Sequence, residues 1–354
     1  MARRSKTPEA SPVPDPEPAR KPRRLWLYAP FVLLLIGIAL WTALWFQVRS
    51  QAATRMDAAA DQLRAAGYEV SWKDRVLGGY PFRLDVVLTE ARVRDPSGWA
   101  LAVPKLEGEA FLYSLGHWIM AAPDGLTLTR PIGGPVEVRG ELLRASLGDL
   151  GKRPPSFSFE GRKLTFAPGA GAQPFGLSAA DKVELHLRPG PDDQGAVMFK
   201  LDNGKAQLSG LFARLAGDKP VSIVWDSVLT KMSAFKGQTW PTAVRAWSNG
   251  GGLIQVRQAG VTAGDALVGS QTGQLGVGYD GRLVGSMDVT LRQAPQALAA
   301  MAANGSIPPE TALAAAAVAA AREDSASTAR ATLTFEAGRT TLGPVAIGPS
   351  PRIY

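Results

Sequence analysis

The sequence predicts a mainly β protein: curved, mostly antiparallel amphipathic sheet behind an N-terminal transmembrane helix, with a few short helices. Three observations carry this expectation. A charge-free apolar run, Leu25 to Phe46, lies near the N-terminus. From Tyr68 onward, apolar and polar residues alternate with the period of a one-faced strand. The chain spreads 38 glycines and 27 prolines along its length, which suits many turns.

Residues 1–24 are rich in proline and charge, with seven basic and three acidic side chains, and read as a disordered tail. That tail holds about half of the net charge of +8. Its basic excess predicts that it stays in the cytoplasm while the rest crosses. Residues 25–46 read as the transmembrane helix, roughly 33 Å long at about 1.5 Å per residue. Trp26 and Tyr28 stand at one end, and Trp41 and Trp45 at the other, as interfacial aromatics do. Pro30 falls in the first turns, where a helix tolerates it. The rival reading is a cleaved signal peptide. The run is longer than the usual core of about 7–15 residues, and Ser50–Ala52 is a poor cleavage site.

Residues 47–66 predict a juxtamembrane amphipathic helix. Val48, Ala52, Met56, Ala59, Leu63 and Ala66 form one stripe, and Gly67 is its stop. The stripe is expected to dock on the first sheet.

Residues 67–354 read as a β-rich region. It has two possible halves divided near 150–175, where "GKRPP" and "APGAGAQPFG" interrupt the strands. Gly78 to Val93, "GGYPFRLDVVLTEARV", predicts a fixed turn followed by a strand. Phe82, Leu84, Val86 and Leu88 share its apolar face, with Arg83 and Asp85 opposite. At Thr89–Glu90 the alternation slips, and Ala91 and Val93 carry the apolar face onward. Gly79, Pro81 and Arg83 read as structural: two turn positions and the strand start. "AVMFKLDNGKAQLSG" predicts a hairpin turning at Asp202-Asn203-Gly204. Helices are expected at "PTAVRAWSNGG", opening with Pro241 and closing on Gly250–Gly251, at "APQALAAMAANG", and over Pro308 to Asp324.

The chemistry is notable for what does not converge. There is no cysteine, which excludes disulfides, thiolate metal sites and Cys nucleophiles. The two histidines, His117 and His186, lack helical metal spacing, so no metal or cofactor is expected. Beyond the tail the charge is nearly balanced, with no basic aromatic patch for nucleic acid. Ser233 and Lys236 match S-x-x-K, in which a lysine activates a serine one helical turn away, but no K-T-G follows. Gly269 to Gly273, "GSQTG", sets its serine one place too early for a nucleophile elbow. "GDLGKR" lacks the spacing of a phosphate loop.

Gly79-Tyr80-Pro81-Phe82-Arg83-Leu84, the "DPSGW" turn and the closing "GRTTLGPVAIGPSPRIY" resemble a family of uncharacterised Gram-negative envelope proteins, domain of unknown function 2125. The resemblance covers nearly the whole chain and supplies no catalytic residue. More loosely, the pattern is similar to AsmA-like periplasmic proteins, whose curved sheets form an apolar trough linked to lipid transport. That resemblance implies a single-pass inner-membrane protein with its C-terminal region in the periplasm. The expected role is non-enzymatic: binding or shuttling lipid or another acyl-bearing molecule, with Phe82, Leu84, Val86 and Leu88 as groove candidates. The alternative is a structural module that pairs with an envelope protein partner. A Ser233–Lys236 hydrolase stands third.

Overall fold

The computed structural model describes residues 25–152, 154–206, 219–237, 239–263, 266–292 and 328–354, with a few positions between 302 and 313. The tail and the helices expected at "APQALAAMAANG" and across most of Pro308 to Asp324 lie outside the described residues. Strands make up 53% of the described residues and helix 22%, as the mainly β reading expects.

The chain divides into two compact units, residues 1–47 and 48–354. Helix α1, Leu25–Ala65, runs 41 residues through the division with Pro30 inside it. Its apolar N-terminal part is long enough to cross a bilayer. Its C-terminal part, in the second unit, keeps Val48, Ala52 and Met56 half-buried as expected. Further along the stripe slips by one place: Ala60 is buried at 3% exposure, Ala59 is exposed, and Leu63 is 40% exposed. The cause is the docking of this segment by polar clamps. The Arg64 guanidinium donates to the Val70 carbonyl, and that of Arg75 donates to Asp57.

The second unit is built around an antiparallel meander. Strands β1 (Glu69–Ser71) and β2 (Asp74–Gly78) both pair with β3 (Arg83–Arg94) and act as one interrupted strand. β4 (Ala100–Phe111) follows. β5 (Trp118–Ala121) and β6 (Leu126–Arg130) then share the next position, and β7 (Gly134–Arg139) and β8 (Leu142–Gly148) share the one after. Next come β9 (Ser156–Pro168), β10 (Leu177–Pro189), β11 (Gly195–Ala206), β12 (Val221–Leu229), β13 (Ile254–Ala263), β14 (Ala266–Val277), β15 (Leu283–Arg292), β16 (Thr328–Glu336), β17 (Arg339–Leu342) and β18 (Val345–Pro349). Each pairs with the strand before it. Residues 150–175 hold β9, which is paired on both sides, so the ladder is continuous there.

A crease crosses the sheet from β1/β2 to β11. At Glu90 the backbone turns to φ +50°, and the inward face passes from Leu84 and Val86 to Ala91 and Val93. This is the slip read from the sequence. β4 changes parity at the same level: Leu106 lies opposite Leu88, and Val103 opposite Ala91, with Pro104 between. The crease continues through the breaks at Ala122–Gly125 and Gly140–Glu141, then Lys163 at φ +50°, Asp181 and Asn203 at φ +50°. Polar side chains bind it: Lys73–Glu90 at 2.7 Å, Lys163–Asp181 at 2.8 Å, and Asn203 Nδ2 to Asp181 at 2.9 Å. A bend brings apolar side chains on either side of it together. The core cluster of Val103, Ala122, Val138, Leu143, Leu164, Ala180 and Leu201 gathers there. The sheet therefore packs partly on itself.

The hairpin expected at Asp202–Gly204 is absent. β11 runs straight through Asn203, with Asp202 opposite Lys182 and Lys205 opposite Ala179. Asn203 takes the left-handed turn conformation, but its amide is held by Asp181, so the chain kinks without reversing. The second helix, α2 (Trp240–Asn249), forms as expected, with Pro241 in its first turn and Gly250 as C-cap. Its Val244 and Trp247 pack with Val277 and the C-terminal Ile353 and Tyr354.

Candidate functional site: the apolar face of the sheet

Residues directly opposite in antiparallel strands share a face, so the register defines rows across the sheet. One row runs Leu77–Val86–Gly108–Met120–Ala145–Phe159–Leu185–Phe199–Trp225–Ala259–Ser270–Val289–Ala331. It crosses from β2 to β16 without a charge. Its sole hydroxyl, that of Ser270, donates to the Thr272 carbonyl at 2.9 Å. A parallel row on the same face includes Leu147, Phe157, Leu187 and Val197.

The opposite face is polar. Arg144, Glu160, Glu184 and Lys200 stand side by side there. Glu160 accepts from Arg162 at 2.6 Å and Arg144 at 2.9 Å, and these guanidiniums, Arg162 foremost, hold its carboxyl below the usual carboxylate range. His186 Nδ1 shares a hydrogen bond with the Ser158 hydroxyl at 2.9 Å on this face.

The apolar row is unevenly covered. At β13–β15, Ala259, Ser270 and Val289 are buried; from β5 to β12, Met120, Phe159, Leu185, Phe199 and Trp225 are only half-buried. The half-covered section is the candidate site. Its chemistry is that of an aliphatic and aromatic strip, with one indole N–H, that of Trp225, turned inward to the Ser227 hydroxyl at 2.9 Å.

The groove candidates fall into three environments. Leu84 and Val86 are core residues, 1% and 6% exposed, and Leu88 is half-buried opposite Leu106. Phe82 precedes β3 and is 62% exposed, because the strand starts at Arg83 and the turn holds Phe82 outside the ladder. Gly79 and Pro81 lie in the turn before β3, and Arg83 is the first residue of that strand. Gly79 adopts φ +97°, and a Cβ there would lie 2.7 Å from the Arg83 carbonyl oxygen. The Tyr80–Pro81 peptide is cis. Arg83 reaches Glu109 at 3.0 Å. Met120, Phe159, Leu185, Phe199 and Trp225 were not candidates from the sequence. They sit on five separate strands, and only pairing aligns them.

Ser233 lies in a short turn, and its hydroxyl and N–H both donate to the Asp193 carboxylate at 2.7 Å. These bonds hold Asp193 below the usual carboxylate range. Lys236 is exposed. Ser270 is buried in mid-strand rather than presented on an elbow. His117 is exposed, and among the described residues no three His, Asp or Glu side chains group as metal ligands. A polar cleft of about 380 Å³ opens at the crease between Pro123–Gly125 and Arg139–Gly140.

An apolar N-terminal helix followed by one long antiparallel meander with unlike faces defines this class of protein. Within that class the chain belongs to the family described as an uncharacterised protein conserved in bacteria, domain of unknown function 2125, whose model matches residues 45–351. No curated protein and no solved structure matches the chain.

Proposed function

We propose that this protein is a single-pass inner-membrane protein, with its β region on the periplasmic side, that binds or shuttles lipid or another acyl-bearing molecule without catalysing a reaction. The observation that carries the reading is the half-buried strip Met120–Phe159–Leu185–Phe199–Trp225, backed by a polar opposite face. Such a strip offers an acyl chain apolar surface worth about 25 cal/mol per Å² buried. The basic tail supports the orientation.

The experiment compares adjacent residues on opposite faces. Lipid copurifying with the full chain is quantified by mass spectrometry for the parent, Phe199→Asn and Met198→Asn. The reading expects bound lipid in the parent, loss in Phe199→Asn and retention in Met198→Asn. A parent free of lipid, or equal loss from both variants, overturns it and favours a module that pairs with an envelope protein.

A further inference from the structure

Exposed aromatic side chains gather at one end of the first strands. Tyr80 and Phe82, in the β2–β3 turn, are 50% and 62% exposed; Phe111 at the end of β4 is 44% exposed, and Tyr113 just beyond it is 77% exposed. The two loops form one surface. The Leu112 N–H donates to the Phe82 carbonyl at 3.0 Å, and the rings of Phe111 and Tyr113 stack at 5.0 Å. The next loop along brings Leu150, 54% exposed, and it touches this surface where the His117 ring lies over Gly148.

The position of this surface follows from how β2 runs back along α1. Arg64 is level with Val70, and five residues later Arg75 is level with Asp57 and Ala53. Three more strand residues, Gly78 being the last, cover about 10 Å. The same distance takes about seven residues of helix, so, counted from Asp57, Gly78 reaches the level of Ser50. The aromatic turn beyond it reaches that of Val48. In the sequence, the charge-free run that spans a bilayer ends at Phe46, two residues before Val48.

We propose that this aromatic end of the β region is a membrane-docking surface, seated in the interfacial layer of the bilayer that the anchor enters. Tyrosine and phenylalanine suit that layer: the ring enters the acyl boundary, and the tyrosine hydroxyl stays with headgroups and water. An exposed aromatic patch at the level where the chain leaves the apolar run has the lipid interface as its natural cover. Docking does not depend on whether the inner face takes lipid.

The cysteine-free chain allows a direct test. Nitroxide labels are placed on Tyr113→Cys, on Phe111→Cys as a second reporter, and on Ile132→Cys. Ile132 is 84% exposed at the opposite end of the sheet, in the turn between β6 and β7. The full chain is reconstituted in phosphatidylcholine vesicles, and collisions with oxygen and with a water-soluble nickel chelate are measured. The proposal expects the oxygen-to-nickel ratio at Tyr113 and Phe111 to exceed that at Ile132 severalfold. Equal nickel access at both ends overturns it. Labels at Tyr113 and Phe111 shielded from both oxygen and nickel also overturn it, because a protein partner then covers the surface.

Discussion

Arg75 of β2 grips Asp57 of α1 with both terminal guanidinium nitrogens, at 2.7 and 3.1 Å, tying the helix to the first strand of the sheet. That guanidinium and that of Arg64 both lie over the Trp72 ring, 5.6 and 5.9 Å from its centroid. Arg75→Ala removes an ion pair and a cation–π contact together, whereas Asp57→Asn removes only the charge. Arg75→Ala is therefore expected to lower the melting temperature more. The hydrogen bond from Arg75 holds the Asp57 carboxyl below its ordinary value of 3.8. The stability from this depressed group is full above 3.8 and lost as pH falls below it toward the folded value. The melting-temperature gap between parent and Asp57→Asn should stay constant at neutral pH and shrink in acid. A gap that widens in acid contradicts this assignment.

Gly79 is the position in the family-like turn that tolerates no side chain. Its φ is +97°, and an added Cβ would lie 2.7 Å from the Arg83 carbonyl oxygen and 2.9 Å from Asp85 Cγ. The Arg83 N–H donates to the Gly79 carbonyl at 2.9 Å, so the clash falls on the residue whose N–H closes the turn. Gly79→Ala is expected to cost about 1–3 kcal/mol, with faster amide exchange confined first to β2 and β3. Unchanged denaturation and exchange would show that the turn opens freely.

The crease makes a separate claim about Asn203. A β-branched residue at φ +50° is strained, and glycine is not. Both replacements lose the amide bond to Asp181. Asn203→Val should therefore be less stable than Asn203→Gly by about 1–2 kcal/mol, read from paired thermal melts. Equal melts would mean that the bend does not need this backbone conformation.

These residues also show how far the sequence could be read. The anchor run, α2, the Gly79 turn and the parity slip at Glu90 are local signals, each complete within a few residues. Asn203 misled because Asp-Asn-Gly is turn chemistry, and a left-handed residue serves a hairpin or a crease equally. Which one forms depends on Asp181, 22 positions away. β2, β5 and β8 carry little local signal because each is a short half of an interrupted strand. In β12, Val221, Ile223, Val224, Trp225 and Val228 blur the alternation. The stripe on α1 slipped to Ala60 because Arg64 and Arg75, rather than apolar packing alone, set its roll. The apolar row was hidden for a different reason: its members lie on separate strands, and only the register brings them into line.

The row itself makes the last prediction, because Val86 and Leu185 belong to it in different surroundings. Val86 is 6% exposed, with Leu84 and Ala110 also buried beside it. Added volume there has nowhere to go, so Val86→Trp should overpack the core and cost about 1–3 kcal/mol. Leu185 lies between Phe159 and Phe199 on the half-covered section. Leu185→Trp can extend over its neighbours, and the melting temperature should stay near that of the parent while copurifying lipid falls. Thermal stability and lipid content are measured together on the full chain for both variants. Stability lost at Val86 and kept at Leu185, with lipid lost at Leu185, supports a strip open to a ligand. Equal destabilisation by the two variants means that the row is packed throughout, which leaves the acyl-binding reading without a site.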